Sequence, residues 1–353
     1  MFAMNIATSY FDHNASTPLL VPVQEAVVDA FARLWCNPHA QYRSAQAASV
    51  AVEAARRSVA KLLNTPPATV FFTSGATEAN SWVLQRAAEG QGTLGSAVEH
   101  PSVAEHLSAR IPVDNQGVVD LAALEKLLSK STWGLVSVMG ANNETGVLQP
   151  IADVARICHY HNVRFHCDAS QMPGRVTLEQ LAEADFVTLS GHKMGGPRGV
   201  GVLVARQELT PLHRGGPQER GLRAGTVNVP GVIGIGVAAD HAVPMDPTAR
   251  DSVETLCREL GAKILGEGVP RLPNTVSALF DVPGDLLVMA LDLEGIAAST
   301  GSACSSGSHR PSAVVEAMGL TGAPLRLSLG RDSDPVRLLH ALPQVVERAR
   351  AAL

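Results

Sequence analysis

The sequence predicts an α/β protein, with an open sheet flanked by helices and followed by a smaller α+β unit. Short apolar runs rich in β-branched residues alternate with stretches of helical spacing before the C-terminal third of the chain. Polar residues recur directly after those runs, where ligands bind in sheets of this kind. Pro244–Pro247 interrupts the pattern. We therefore divide the chain into a large domain of residues 14–246 and a small α+β domain of residues 1–13 and 247–353.

Composition limits the possible functions. The chain has 353 residues, enough for two domains, and a formal charge of −5 without clusters of basic residues. Nucleic acid and anionic membrane are therefore not expected partners. No apolar run is long enough to span a membrane, and residues 1–10 do not have the pattern of a signal peptide. The five scattered cysteines indicate a reducing compartment, and we expect a cytoplasmic protein.

Periodicity and β-propensity place the individual elements. Helical spacing predicts helices over 21–34, 45–63, from residue 82 onward, 151–162, 252–265 and 284–291. Apolar, β-branched runs predict strands over 70–73, 135–139, 163–167, 186–190, 200–204, 275–280 and 325–329.

Lys193 is the first candidate functional residue. It lies with Ser190 and His192 in a Gly-rich loop between two runs that are expected to be buried. A lysine held in such a place is a candidate for a lowered pKa and for Schiff-base chemistry. Most lysines are solvated surface residues, so this segment alone leaves both interpretations open.

A candidate anion site follows the predicted strand 70–73. Ser74, Gly75, Ala76 and Thr77 lead from that strand into a helix, whose first amide groups and dipole favour an anion such as phosphate. An ordinary turn in which Thr77 or Ser74 caps the helix explains the same residues, and taken alone it is the simpler interpretation.

Other polar residues also follow predicted strands. They are Asn143, Asp168, Gln171 and Ser190, and together with Thr77 they are expected to converge on one pocket at the carboxyl edge of the sheet. The loop 215–226 carries two arginines among glycines, which suits either contact with an anion or an exposed connection.

Cys304 lies in a Gly- and Ser-rich segment, residues 301–308, with no apolar neighbours to bury it. An exposed thiol in a reducing compartment favours a reactive cysteine over a linker cysteine, although the sequence gives no lowered pKa. His159, His161, His166 and Cys167 are not expected to bind a metal, because their spacing fits no common zinc pattern.

Eight short motifs in this order resemble the class V aminotransferase superfamily, and within it the cysteine desulfurases of iron–sulfur cluster assembly and nitrogen fixation. The resemblance extends from Phe11 to Gly330 and depends on all eight together. The motifs are Thr73-Ser74-Gly75-Ala76-Thr77-Glu78, Glu99-His100, Asn142-Asn143-Glu144, Asp168-Ala169-Ser170-Gln171, Ser190-Gly191-His192-Lys193, Arg223-Ala224-Gly225-Thr226, Gly301-Ser302-Ala303-Cys304 and Arg326-Leu327-Ser328-Leu329-Gly330.

This resemblance implies the pyridoxal-phosphate (PLP) aminotransferase fold type I, with a mostly parallel mixed sheet in the large domain. It implies that Lys193 holds the PLP in a Schiff base, that Asp168 pairs with the pyridinium nitrogen and that His100 stacks on the ring. The other implied cofactor contacts are Gln171 with the ring hydroxyl; Ala76, Thr77, Ser190 and His192 with the phosphate; and Thr226 with the phosphate of a second subunit. Asn143 is also an implied cofactor contact, and His100 is an implied catalytic residue together with Lys193 and Cys304.

The implied reaction removes sulfur from L-cysteine and releases L-alanine. Asn143 and Arg326 are expected to hold the substrate carboxylate, Arg326 in a bidentate fork. Cys304 is expected to attack the substrate sulfur and become a persulfide, in a segment of the long-loop type that delivers sulfur to an acceptor. The family usually has other residues where this chain has Tyr42, Ala45 and Gly140-Ala141.

Two alternatives remain open at this stage. A selenocysteine lyase or another class V aminotransferase-type enzyme would share the fold, although a transaminase has no use for an exposed Cys304. A non-catalytic sulfur-transfer scaffold would not need Lys193 and Asp168. The expected partners are L-cysteine, a second copy of the chain and a sulfur-acceptor protein.

Overall fold

The computed structural model describes residues 9–301 and 312–353. Within these ranges the strands are β1 (Ser9–Tyr10), β2 (Val70–Thr73), β3 (Gly92–Ser96), β4 (Ala109–Ile111), β5 (Trp133–Ser137), β6 (Arg164–Asp168), β7 (Phe186–Ser190), β8 (Gly201–Ala205), β9 (Lys263–Ile264), β10 (Thr275–Leu279), β11 (Ile296–Ala297) and β12 (Leu325–Ser328). The helices are α1 (Val21–Arg33), α2 (Arg43–Leu62), α3 (Ala76–Arg86), α4 (Pro101–Ala104), α5 (Leu121–Lys130), α6 (Ile151–Tyr160), α7 (Val229–Asp240), α8 (Thr248–Glu259), α9 (Gly284–Leu293), α10 (Ala313–Ala317) and α11 (Val336–Ala351).

The main sheet is mixed and mostly parallel, as predicted. Its strand order is β2-β8-β7-β6-β5-β3-β4, and β8 runs antiparallel to both of its neighbours. The remaining strands point the same way, so their carboxyl ends share one edge of the sheet. At that edge β2 ends at Thr73, β6 at Asp168 and β7 at Ser190.

Buried apolar side chains hold helices against this sheet. The largest cluster joins strand residues such as Val136 and Phe165 to Val59 of α2, Val154 of α6 and Ile235 of α7. All five positions of β7 and of β8 are buried, so these strands show no alternation of buried and exposed residues.

The C-terminal part has a core of its own. β12, β10 and β9 form an antiparallel sheet, and β1 pairs in parallel with β11. A second cluster of buried residues joins Phe11 to apolar residues of 253–349. This cluster agrees with residues 1–13 and 247–353 as a small domain, and the domain boundaries remain a prediction.

The structure corrects several predicted boundaries. α3 begins at Ala76 rather than near Trp82, and α8 ends at Glu259 rather than at Leu265. Gly261, with φ +85°, ends α8: its N–H donates to the carbonyl of Arg258, in the manner of a glycine helix stop. Lys263–Ile264 therefore forms β9. The elements β3, β4, α5 and α11 were not predicted.

In the part of the chain that the structure describes, we find no helix that is both long and apolar enough to cross a membrane.

Candidate active site

The predicted polar residues converge on one cavity at the carboxyl edge of the main sheet. The cavity has a volume of about 980 Å³ and reaches across to β12 of the small sheet. Ten of the predicted site residues line it: Ala76, Thr77, His100, Asn143, Asp168, Gln171, Ser190, His192, Lys193 and Arg326. The convergence that strand order predicted is therefore confirmed.

Lys193 lies in a single helical turn that directly follows β7. Its Nζ donates to the main-chain carbonyls of Asn14 and Ala15, the latter at 2.9 Å. Burial, together with the nearby guanidinium groups of Arg175 and Arg326, lowers the pKa of Lys193 to about 8. The amine is thus close to half neutral near pH 8, as a nucleophilic lysine requires.

The N-terminus of α3 faces the same cavity. Gly75 is its N-cap residue, and no side chain caps the helix there, so Thr77 and Ser74 do not fill the simpler role considered above. A Cβ at Gly75 would meet no atom within 4 Å. Free backbone amides and open space at a helix N-terminus form a cradle that suits a phosphate group.

An ion pair holds this cradle from outside. Glu78 accepts from the Ser74 N–H at 2.7 Å and pairs with Arg223, whose Nε lies 2.8 Å from its carboxylate. These contacts lower the pKa of Glu78 to about 2 despite its partial burial. Arg223 thereby ties the loop 215–226 to the start of α3.

Asp168 is the last residue of β6, and Gln171 lies in the turn that follows. Asp168 is buried; Oδ2 accepts from Asn80 Nδ2 at 2.7 Å and Oδ1 from the Ser170 N–H at 3.0 Å. The Gln171 side-chain oxygen accepts from Arg175, which turns its amide nitrogen toward the carbonyl of Asn14 at 3.0 Å. Both side chains are therefore held in fixed orientations.

His100 and His192 are neutral in this cavity. Burial lowers the pKa of both, and for His192, where Lys193, Arg198 and Arg175 add to the effect, it falls to about 4. His100 Nδ1 accepts from the Ser102 N–H at 3.1 Å, so a neutral ring carries its proton on Nε2.

Glu99 is a buried acid that the sequence did not single out as a site residue. Its Oε1 accepts from the Ser96 hydroxyl at 2.5 Å and from the Met139 N–H at 2.8 Å, whereas Oε2 has no partner among the described residues. Burial, with a smaller contribution from the nearby Asp168, raises its pKa to about 8 despite the hydrogen bonds from Ser96 and Met139. Glu99 is therefore mostly protonated near neutral pH.

Arg326 reaches the cavity from β12 and is buried. Its Nη1 donates to the carbonyls of Asn143 (2.9 Å) and Gly301 (3.0 Å), and its Nη2 lies 2.6 Å from the Asp12 carboxylate. Its Nε has no partner among the described residues. An arginine offers Nε together with one Nη to a bound carboxylate, so a free donor remains for that purpose.

Thr226 and Cys304 are the two remaining predicted site residues. Thr226 is exposed and does not line the cavity. Cys304 lies outside the described residues.

The histidines and the cysteine that were considered for a metal have other partners. His161 bonds Glu125 at 2.7 Å, His159 lies 3.4 Å from Asp185, and His166 and Cys167 are fully buried. Residues 9–301 and 312–353 contain no group of three or more metal-ligating side chains.

Sequence reasoning missed several supports of the site. Asn14, Arg175, Asn80 and Asp12 hold the predicted residues in place. Asn80 carried a usable signal, because a polar amide on the otherwise apolar buried face of a helix indicates a partner. The contacts of Asn14 and Asp12 depend on tertiary structure and had no comparable signal.

The aminotransferase class V family matches residues 9–335, so the chain belongs to that family. A cysteine desulfurase from Cereibacter sphaeroides is 38% identical over 374 aligned positions, covering 97% of this chain and 96% of the relative. A solved structure described as a NIFS-like protein superposes with a TM-score of 0.88 at 34% identity, covering 98% of this chain and all of the other. A structure described as SspA in complex with cysteine has a TM-score of 0.81 at 30% identity and covers 92% of this chain and 99% of its own.

Proposed function

We propose that this protein is a PLP-dependent cysteine desulfurase, which converts L-cysteine to L-alanine and transfers the sulfur to Cys304. The observation that carries the proposal is Lys193, a partly buried amine with a pKa of about 8 in a cavity that also holds the Asp168 carboxylate and a free helix N-terminus. The relatives named cysteine desulfurase support the choice of reaction.

The residues present fit the cofactor. The open space beside Gly75 and the amides of α3 suit its phosphate, Asp168 suits its ring nitrogen, and Lys193 suits its aldehyde carbon. Ala76, Thr77, Ser190 and His192 would complete the phosphate site, His100 would cover the ring and Gln171 would contact its hydroxyl. When bound, the cofactor supplies an electron sink for bonds broken at the substrate's carbon atoms.

The amino-acid carboxylate fits beside Arg326. The unpartnered Nε–H of that guanidinium and a proton of Nη2 form a side-on pair of donors, and Asn143 lines the cavity next to it. His100 would hold a proton on Nε2, and Lys193, once it releases the cofactor, can accept or return a proton as an amine with a pKa of about 8.

Both flanks of the segment that contains Cys304 border this cavity. Gly301 lines it, and its carbonyl accepts from Arg326; Ser312 also lines it and donates to Glu144 at 2.5 Å. Three peptide units separate Gly301 from Cys304, so their Cα atoms lie at most about 11 Å apart. This maximal distance supports the proposal that the Cys304 thiol reaches the substrate sulfur in the cavity and then delivers it to an acceptor.

We also propose a cytoplasmic homodimer that serves a sulfur acceptor, such as an iron–sulfur scaffold or a thiolation system. The cysteines of the described residues are unpaired and buried, which suits a reducing compartment. Exposed Thr226 suits a contact with the phosphate of a second subunit, and Val28, Phe31 and Trp35 form an exposed apolar surface that we call the α1 face.

The test is product analysis after the purified holoenzyme has been incubated with L-cysteine and a thiol reductant. We expect alanine and sulfide in equal amounts. Lys193→Ala should form neither, and Cys304→Ser should bind the cofactor yet release no sulfide. Release of pyruvate or of a keto acid instead of alanine would identify another class V reaction. Exclusive turnover of L-selenocysteine would favour a selenocysteine lyase.

A further inference from the structure

A continuous hydrogen-bond chain lies behind Asp168, in the interior of the main sheet. Its members are Ser137 on β5, His166 on β6, Thr188 on β7 and Asn80 on α3, and all four are fully buried. The contacts are Ser137 Oγ to His166 Nδ1 at 2.8 Å, His166 Nε2 to Thr188 Oγ1 at 3.4 Å, and Thr188 Oγ1 to Asn80 Oδ1 at 2.5 Å. The last contact runs from Asn80 Nδ2 to Asp168 Oδ2 at 2.7 Å.

The donor and acceptor capacities of these groups fix the direction of every bond in the hydrogen-bond chain. The Asp168 carboxylate only accepts, so Asn80 must turn its NH₂ group toward it and its oxygen toward Thr188. Thr188 gives its one proton to that oxygen and therefore accepts from His166 Nε2–H. Burial lowers the pKa of His166 to about 4, so the ring is neutral and its bare Nδ1 accepts from the Ser137 hydroxyl.

We propose that Asn80 is a positioning residue of the active site, which fixes the Asp168 carboxylate toward the cofactor ring nitrogen through a donor chain that begins at Ser137. All four bonds donate toward Asp168, and hydrogen bonds aligned in this way polarise one another. They place hydrogen-bond donors on the Asp168 carboxylate and so fix its orientation where a cationic ring nitrogen needs a partner. This inference rests on the proposed function, in which Asp168 pairs with that nitrogen.

Asn80 also connects Asp168 to His100, the residue proposed to cover the face of the cofactor ring. Its Nδ2 lies 2.9 Å from Ser102 Oγ, which in turn lies 2.8 Å from His100 Nδ1. Ser102 accepts from Asn80 and so directs its own proton to His100. One amide group thus fixes the orientation of both Asp168, the residue for the ring nitrogen, and His100, the residue for the ring face.

The test compares two ligands: pyridoxal phosphate, and its analogue with C–H in place of the ring nitrogen. Equilibrium dialysis of the apoprotein gives both affinities. We expect Asn80→Leu to lower the affinity for pyridoxal phosphate about tenfold or more, since losing a hydrogen bond to a charged group has roughly that effect. The affinity for the analogue should stay within about twofold of the wild-type value. Thr188→Val, which breaks the chain one bond earlier, should give a smaller loss in the same direction.

Ser81→Ala is the matched control. It removes a 3.3 Å contact with His106 from the next residue of α3, and neither residue lines the cavity. This variant should bind both ligands like the wild type. Equal losses for both ligands in Asn80→Leu, or no loss in Asn80→Leu and Thr188→Val alike, would overturn the proposal. If Asn80→Leu does not fold, an unchanged ligand preference in Thr188→Val overturns it alone.

Asp168→Ala separates this proposal from the proposed function. If Asp168→Ala abolishes the preference for pyridoxal phosphate and Asn80→Leu does not, the role of Asp168 stands and that of Asn80 is wrong. If Asp168→Ala retains the preference, the role of Asp168 itself is wrong. In the apoprotein, ¹⁵N spectra should show a neutral His166 with its proton on Nε2, and a proton on Nδ1 would contradict the donor order.

Discussion

At the scale of single residues, burial moves two titratable groups of the cavity toward their neutral forms. The pKa of Lys193 falls and the pKa of Glu99 rises, because the charged form of each group is poorly solvated inside the protein. A neutral amine can attack an aldehyde, and a neutral carboxyl can lie beside the Asp168 carboxylate without strong repulsion. Each shift has its own measurable consequence.

Lys193 should react as an amine at a pH where ordinary lysines are protonated. In the apoprotein, we expect its labelling by a small uncharged acylating reagent to reach half of its maximal rate near pH 8. Peptide mass spectrometry measures the rate, with exposed Lys61 as the internal control. A half-maximal rate at about pH 10.4, the usual value for lysine, would contradict the shifted pKa.

Glu99 should make the stability of the apoprotein depend on pH. Its pKa rises from 4.5 to about 8 on folding, so between those values the native state holds a proton that the unfolded state has lost. The contribution of Glu99 to the free energy of unfolding should therefore decrease with rising pH across this window, by on the order of 1 kcal/mol per pH unit. The buried His166 and His192, whose pKa values fall to about 4, contribute with the opposite sign, so the effect of Glu99 is read from the difference between wild type and variant. The favourable contribution is complete below pH 4.5 and is lost as pH rises to about 8.

Glu99→Gln cannot ionise and should lack this slope. Urea unfolding of both proteins over a pH series gives the difference in the free energy of unfolding. Glu105→Gln, at an exposed glutamate nearby, should keep the wild-type slope. Parallel pH profiles for the wild type and Glu99→Gln would show that Glu99 is already ionised in the native state.

At the scale of elements, the site depends on how the strand β2 passes into the helix α3. Glu78 and Arg223 hold this turn. Glu219 secures the loop 215–226 through a buried bidentate pair with Arg56, at 2.8 Å for each bond. Glu219 also accepts from the Phe72 N–H at 2.8 Å, which joins the loop to β2. The phosphate cradle is thus braced by ionic contacts, in which Glu78 lines the cavity and Arg223, Arg56 and Glu219 do not.

Gly75→Ala should fill that cradle. The backbone of Gly75 is extended and a Cβ meets nothing within 4 Å, so the free energy of unfolding should change little. The added methyl group would occupy the space for phosphate, and we expect the affinity for pyridoxal phosphate to fall about tenfold or more. Equilibrium dialysis with pyridoxal, which has no phosphate, should show almost no change. Equal effects on both ligands would refute a phosphate site at Gly75.

The fold was predictable wherever local pattern and tertiary environment agree. The β-branched runs of β7 and β8 gave their strands to within a residue. β3 was missed, because its sequence Gly-Thr-Leu-Gly-Ser has low β-propensity and owes its strand conformation to its neighbours β4 and β5. α11 was missed because its exposed positions weaken its apolar pattern. Its apolar face packs on the hydrophobic core of the C-terminal part.

At the scale of the whole molecule, the cavity forms where the main sheet, the segment 9–20 and the small sheet meet. Strand order alone could place Asp168, Ser190 and Lys193 at one edge. It could not place Asn14 against Lys193, or Asp12 against Arg326, since those contacts join residues far apart in the sequence. The ten predicted residues that line the cavity were therefore recoverable from motifs, and most of the groups that hold them were not.

The exposed α1 face should be the dimer contact. We expect Trp35→Glu to convert the dimer to a monomer in sedimentation experiments, because a carboxylate there would be buried in an apolar interface. Cofactor affinity should fall with it, since Thr226 would no longer reach a second subunit. Leu293→Glu, at an equally exposed leucine of α9, should remain dimeric. A wild-type protein that is monomeric and binds cofactor fully would refute the shared site.

The central claim is that Cys304 takes the sulfur of L-cysteine. The most direct measurement is peptide mass spectrometry of the holoenzyme after incubation with L-cysteine and rapid alkylation. We predict one added sulfur atom on Cys304 and none on Cys36, Cys158, Cys167 or Cys257, which are buried, and burial raises the pKa of the last three. The added sulfur should be missing in Lys193→Ala. A persulfide on one of the buried cysteines, together with a Cys304→Ser variant that still releases sulfide, would contradict the account.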